Sequence, residues 1–118
     1  GIDQINTMIF DEIDSGISGR IAGVVGEKLL ALSAARQVVC VTHLAQIAAL
    51  ADAHYLVLKQ TEGNSTKTSL VRLDAPARVE QIAGLMDADG ASKAAVEHAR
   101  ELVKFGESLK LERNSQSD

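Results

Sequence analysis

Residues 5–10, Ile-Asn-Thr-Met-Ile-Phe, are mostly β-branched or large apolar and predict a buried strand. The run stops at Asp11-Glu12, with Ile13-Asp14-Ser15-Gly16-Ile17 behind it. After Gly16 the period changes. Ser18 is a good helix N-cap, and Ile21, Val24, Val25, Leu29 and Leu32 recur at helical spacing. Arg20, Glu27 and Lys28 fall mostly between them, so the pattern predicts a helix from Gly19 to about Ala35. Gly23 and Gly26 lower its intrinsic stability and suggest close packing on a sheet. Residues 37–42, Gln-Val-Val-Cys-Val-Thr, predict a second buried strand. Strand, helix and strand over this length imply a right-handed βαβ unit with parallel strands.

Leu44, Ile47, Ala48 and Ala51 outline a short helix. Residues 53–60 and 67–73 predict two strands, and the polar, turn-prone stretch 61–66 makes a hairpin the simplest link. Lys59, Lys67 and Arg72 suit its solvated face. Asp74, with Pro76 in the first turn, caps a helix whose apolar face is Val79, Ile82, Ala83 and Met86. Asp87-Ala88-Asp89-Gly90 is a break, and a last amphipathic helix is expected from Ser92 to about Phe105, with Ala95, Ala99, Leu102 and Val103 on one side. Residues 112–118 are polar and expected to be a disordered tail. The predicted class is α/β: a parallel βαβ core, a β-hairpin and two C-terminal helices in one unit over 1–111, with no internal repeat or linker.

Composition narrows the chemistry. The 118 residues are 46% hydrophobic and 24% charged, as in a globular domain rather than a disordered chain. A net charge of −4 argues against a basic nucleic-acid grip over the whole surface, and 3% aromatics leave few platforms for stacked bases. No apolar stretch is long enough to span a membrane. The single cysteine, Cys40, excludes an internal disulfide and suits a reducing cytoplasm. The opening Gly1-Ile2-Asp3-Gln4 runs straight into a strand pattern, and the chain is read as a fragment of a longer protein.

Two carboxylates at the tip of a buried strand are costly unless a cation meets them, and the usual cation is a metal ion carrying phosphates. This is the Walker B pattern of P-loop NTPases. Asp11 would hold Mg²⁺ and Glu12 would polarise the attacking water as a base. Successive strand side chains point to opposite faces, so the two acids need not compete for one role. Parallel strands would bring His43 to the same carboxyl edge, where ligands of open α/β sheets bind. A neutral imidazole there could donate to a γ-phosphate oxygen or position the water, the plainer alternative being a histidine that caps the following helix. Cys40, His43 and His54 lack the further ligands that a zinc site needs. Gly23 to Lys28 is not a P-loop, which requires four residues between its glycines and then Lys-Ser/Thr.

Thr-Met-Ile-Phe-Asp-Glu-Ile-Asp-Ser-Gly-Ile-Ser-Gly-Arg over 7–20 and Val-Cys-Val-Thr-His-Leu-Ala-Gln-Ile-Ala over 39–48, with Ala-Arg-Val-Glu-Gln-Ile-Ala over 77–83 and His-Ala-Arg-Glu-Leu over 98–102, resemble the RecN family of bacterial DNA repair proteins. That family has ABC-type ATPase heads related to SMC proteins, and the resemblance extends to about Leu109. It implies that Asp11 is the Walker B metal acid, Glu12 the catalytic glutamate and His43 the switch histidine. It also implies that Asp14, Ser15, Gly16 and Ile17 form the D-loop, which lies across the interface of two engaged heads. The implied cofactors are ATP and Mg²⁺. The implied partners are the rest of the head and its coiled coil, a second head in an ATP-engaged dimer, and DNA at double-strand breaks, with no membrane.

The 118 residues contain no Walker A motif and no Leu-Ser-Gly-Gly signature; Leu32-Ser33-Ala34-Ala35-Arg36 only imitates the latter. The isolated chain is therefore expected to bind Mg-ATP poorly and to hydrolyse none. It is also expected to expose apolar surface or an unpaired strand edge and to self-associate. Two other readings remain open: a piece of another ABC-type or SMC-like ATPase, and a non-enzymatic α/β interaction module.

Overall fold

A computed structural model describes residues 6–11, 19–87 and 92–116. Among the described residues eight elements follow in order: β1 (Thr7–Asp11), α1 (Gly19–Leu32), β2 (Gln37–Val41), α2 (Ala45–Ala48), β3 (Tyr55–Glu62), β4 (Ser65–Arg72), α3 (Ala75–Met86) and α4 (Lys93–Gln116). The chain is α/β. β1 and β2 pair in parallel, with Thr7 beside Gln37 and Asp11 beside Val41. β3 and β4 pair antiparallel, from Tyr55 with Arg72 to Glu62 with Ser65.

Two small apolar clusters hold these elements, and α2 belongs to both. In one, Ala22 and Leu29 of α1 and Ile47 of α2 meet Phe10, Val38 and Cys40 from the inner face of β1–β2. In the other, Ala45, Ala48 and Ala49 pack against Ile82 and Ala83 of α3 and Ala99 of α4. The small side chains let helices approach closely. A Cβ on Gly26 would come within 2.7 Å of Leu50 Cδ1, so this glycine serves the contact of α1 with the α2 segment rather than with the sheet. Gly23 has no neighbour within 4 Å of such a Cβ and does not serve close packing at all.

β1 and β2 depart from the buried strands that the sequence predicts. Only their even-numbered residues are half-buried, while Ile9, Val39 and Val41 on the outer face are 71%, 43% and 49% exposed. Parallel sheets are normally covered on both faces. The β3–β4 ribbon is barer still, with Tyr55, Val57, Leu70 and Val71 all exposed. Apolar surface of this extent favours association. The chain is expected to sediment above its monomer mass at high concentration, and Val39→Lys should lower that mass. A monomer at every concentration would contradict this.

The hairpin turn is tighter than the polar stretch 61–66 suggests. Both strands continue into it, and Gly63 and Asn64 alone make the turn, with Gly63 at φ +61°, a conformation that favours glycine. α3 begins as expected: Asp74 Oδ1 accepts a 2.9 Å hydrogen bond from the Ala77 N–H, and Pro76 sits in the first turn. α4 is longer than expected. It passes Phe105 and runs through residues 112–116, which the polar composition assigned to a disordered tail. Long-range contacts explain the difference: Lys110 Nζ donates to Ala51 O at 2.7 Å, and Arg113 meets both carboxylate oxygens of Asp52 at 3.0 and 3.2 Å.

Candidate functional site

The rim of interest is the carboxyl end of β1–β2. Asp11 is the last residue of β1 and is exposed, as a carboxylate must be at the end of an apolar strand. Its partner in the ladder is Val41, the last residue of β2, and His43 follows two residues later. Strand spacing and chain reach then limit the Asp11–His43 Cα separation to roughly 12 Å. The parallel register therefore puts the two groups on one edge. Glu12 and the stretch Asp14, Ser15, Gly16 and Ile17 lie outside the described residues.

His43 is exposed and does not cap the helix behind it. The N-cap of α2 is Leu44, which makes no side-chain cap bond. The turn is pinned instead by Thr42 Oγ1, which accepts from the Leu44 N–H at 3.0 Å. Among the described residues the Asp11 carboxylate has no cationic side chain paired with it. A free, exposed carboxylate suits a hard cation such as Mg²⁺, which takes one or two carboxylates and fills its other positions with water and phosphate oxygens. Among the described residues no group of three or more His, Cys, Asp or Glu side chains gathers as a metal site. An open groove of about 290 Å³ lies elsewhere, between the C-terminal half of α1 and the end of α4, lined by Leu30, Ala31, Ala34, Leu109 and Arg113 among others. α1 runs back from the carboxyl edge to the start of β2, so this groove belongs to the opposite end of the sheet.

Behind His43 lies a cluster that the sequence reading missed. Arg78 on α3 is 9% exposed, and its Nη2 donates to Ala48 O at 3.2 Å and Ala49 O at 2.9 Å. Lys110 and Arg113 of α4 grip Ala51 O and Asp52 just beyond. The hydrogen bond from Arg113 holds the Asp52 carboxyl below its ordinary value, against the opposing effect of partial burial. The available signal was positional. Arg78 sits four residues before Ile82 on the buried stripe of α3, and Lys110 continues the Leu102–Gly106 stripe of α4.

His54 completes this cluster. Burial, and then the charge of Arg78, pull its imidazole below the ordinary value of 6.5, and its Nδ1 is buried without a partner. The unfolded chain then takes up the proton first as pH falls. The neutral ring's contribution to stability is complete above the unfolded value near 6.5 and is lost as pH falls below it. Asp52, shifted down, contributes above the unfolded carboxyl value of 3.8 and loses its contribution at lower pH, so the two windows separate. Urea midpoints measured from pH 7.5 to 5 should fall in the wild type and fall less in His54→Asn. Parallel curves would rule out His54 as the source.

No family model matches the chain. Individual relatives do. It is 47% identical over 105 residues to the DNA repair protein RecN of Treponema pallidum (strain Nichols), covering 89% of this chain and 18% of that protein. It is 44% identical over 104 residues to RecN of Xylella fastidiosa (strain Temecula1), covering 88% and 19%. RecN of Bacillus subtilis (strain 168) is 35% identical over 107 residues, covering 91% and 19%. The chain thus spans about a fifth of the length of the curated relatives that it matches.

Proposed function

We propose, from the premise that this chain is RecN-like over nearly nine-tenths of its length, that it forms the C-terminal part of an ABC-type ATPase head in a protein of DNA double-strand-break repair and recombination. The observation that carries the reading is the β1–β2 register, which sets Asp11 and His43 along one carboxyl edge. Ligands of open α/β sheets bind outside that edge.

In this reading Asp11 offers its carboxylate to Mg²⁺. Glu12 accepts the proton of the attacking water, and His43 donates to the terminal phosphate or orients the water. Mg²⁺, when bound with ATP, neutralises charge developing on the phosphates. Asp14, Ser15, Gly16 and Ile17 would serve as the D-loop toward a second, engaged head. The phosphate cradle would come from the rest of the head, since the 118 residues hold no Gly-x-x-x-x-Gly-Lys-Ser/Thr. The outer face of Ile9, Val39 and Val41 is the surface which that half of the head would cover. DNA and the coiled coil are partners of the whole protein, and a cytoplasmic, nucleoid-associated location goes with them.

The test removes the rim groups one at a time from a full-length RecN-type chain carrying this sequence and measures phosphate release. Loss of turnover with Asp11→Asn, Glu12→Gln and His43→Ala supports the reading. Unchanged turnover in all three would leave a non-enzymatic interaction module. The 118-residue chain alone should release no phosphate above background.

A further inference from the structure

We propose that Arg78 is a positioning residue for His43, acting through α2; the proposal rests on the reading of His43 as a rim group. α2 has four residues, a single turn, and a helix that short does not hold itself together in water. Its place is set from outside. At its start the chain is tied to β2 and to the Thr42 hydroxyl. At its end the carbonyls of Ala48 and Ala49 converge on one nitrogen of Arg78; Ala48 O also accepts the Ala51 N–H at 3.3 Å, whereas Ala49 O takes no backbone N–H among the described residues. Lys110 and Arg113 hold the next residues, Ala51 and Asp52, to α4.

These grips differ in kind. Arg78 is almost fully buried, whereas Arg113 meets an Asp52 side chain that is 60% exposed, where an ion pair contributes little. Arg78 is the cation bonded directly to α2 and its C-cap, and a buried carbonyl that loses its donor is costly. Removing the guanidinium leaves Ala48 O only the 3.3 Å bond from the Ala51 N–H and leaves Ala49 O, in a residue 1% exposed, with no donor among the described residues. His43 stands two residues before α2, on a segment of ten residues that ends at Asp52. Rotation of α2 would carry the near end of that segment with it and shift His43 along the rim. Helices α3 and α4 would thereby set the geometry of a group carried on a different segment of the chain.

The test uses NMR on the 118-residue chain without nucleotide, comparing wild type, Arg78→Met and Arg78→Lys. In Arg78→Met the His43 ring Cε1–Hε1 resonance should shift and broaden. Amide exchange in 44–50 should quicken about tenfold, with exchange at Met8 to Phe10 unchanged. Arg78→Lys, which keeps the charge and protects against loss of the fold, should fall between. A His43 resonance unmoved in both variants, with changes confined to α3, overturns the proposal and leaves the rim reading intact. In a full-length RecN-type chain Arg78→Lys should lower kcat about tenfold with little change in KM for ATP. If the NMR changes occur but His43→Ala leaves turnover untouched, the rim reading falls, and with it any role for Arg78 in turnover.

Discussion

Replacing Glu12 with Gln in a full-length RecN-type chain is expected to lower ATP turnover by about 10²- to 10⁴-fold, the usual contribution of a positioned general base. Gln keeps the shape and hydrogen-bonding reach of Glu but cannot accept the proton of the attacking water. Binding should survive, because Asp11, in the metal role proposed for it, and the phosphate cradle of the rest of the head are unchanged. The variant should therefore hold ATP and favour engaged heads, which nucleotide retention on a desalting column and a rise in dimer mass with ATP would show. Asp11→Asn should behave differently. An amide is a poorer ligand for Mg²⁺ than a carboxylate, so nucleotide affinity in the presence of Mg²⁺ should fall along with turnover. Equal turnover by wild type and Glu12→Gln would remove the base role, whatever Asp11 does.

The sequence made the rim legible because a local pattern encodes it. An apolar run that ends in a carboxylate gives a strand tip, and strand–helix–strand spacing gives a parallel pair; Asp11 and His43 then share an edge. The Asp74 cap was equally readable, since its carboxylate satisfies an N–H only three residues away, whereas Ser18 lies outside the described residues. What escaped was non-local. Residues 112–116 are polar and resemble a loose tail, yet Arg113 reaches back 61 positions to Asp52. Arg78 had no role of its own in the sequence pattern; its 9% exposure and its carbonyl partners depend on the packing of α3 against the α2 segment. The exposed outer face of β1–β2 was anticipated from missing motifs rather than from the strands, whose composition alone predicts burial; the bare apolar residues of the hairpin, Tyr55, Val57, Leu70 and Val71, were not anticipated.

Substituting Ala for the two glycines inside α3 and α4 should have effects of opposite sign on the stability of the chain. Gly84 on α3 is exposed, and a Cβ there would meet nothing within 4 Å. Gly84→Ala should stabilise by about 0.4–1 kcal/mol, chiefly by restricting the unfolded chain. Gly106 is buried where α4 crosses the end of α2. A Cβ there would lie 2.7 Å from Ala49 O and 3.3 Å from Leu50 Cδ2. A methyl group cannot occupy that space, and the obstacle is backbone rather than a flexible side-chain end, so α4 must lift from α2. Overpacking of this kind costs about 1–3 kcal/mol, which outweighs the same helix-propensity gain. Ala49 O also accepts from Arg78, so displacing it disturbs a buried hydrogen bond as well. Thermal unfolding followed by circular dichroism should move up by a few degrees for Gly84→Ala and down by a larger amount for Gly106→Ala. If Gly106→Ala melts at or above the wild-type temperature, α4 does not approach α2 this closely, and the tail contacts through Lys110 and Arg113 lose their footing.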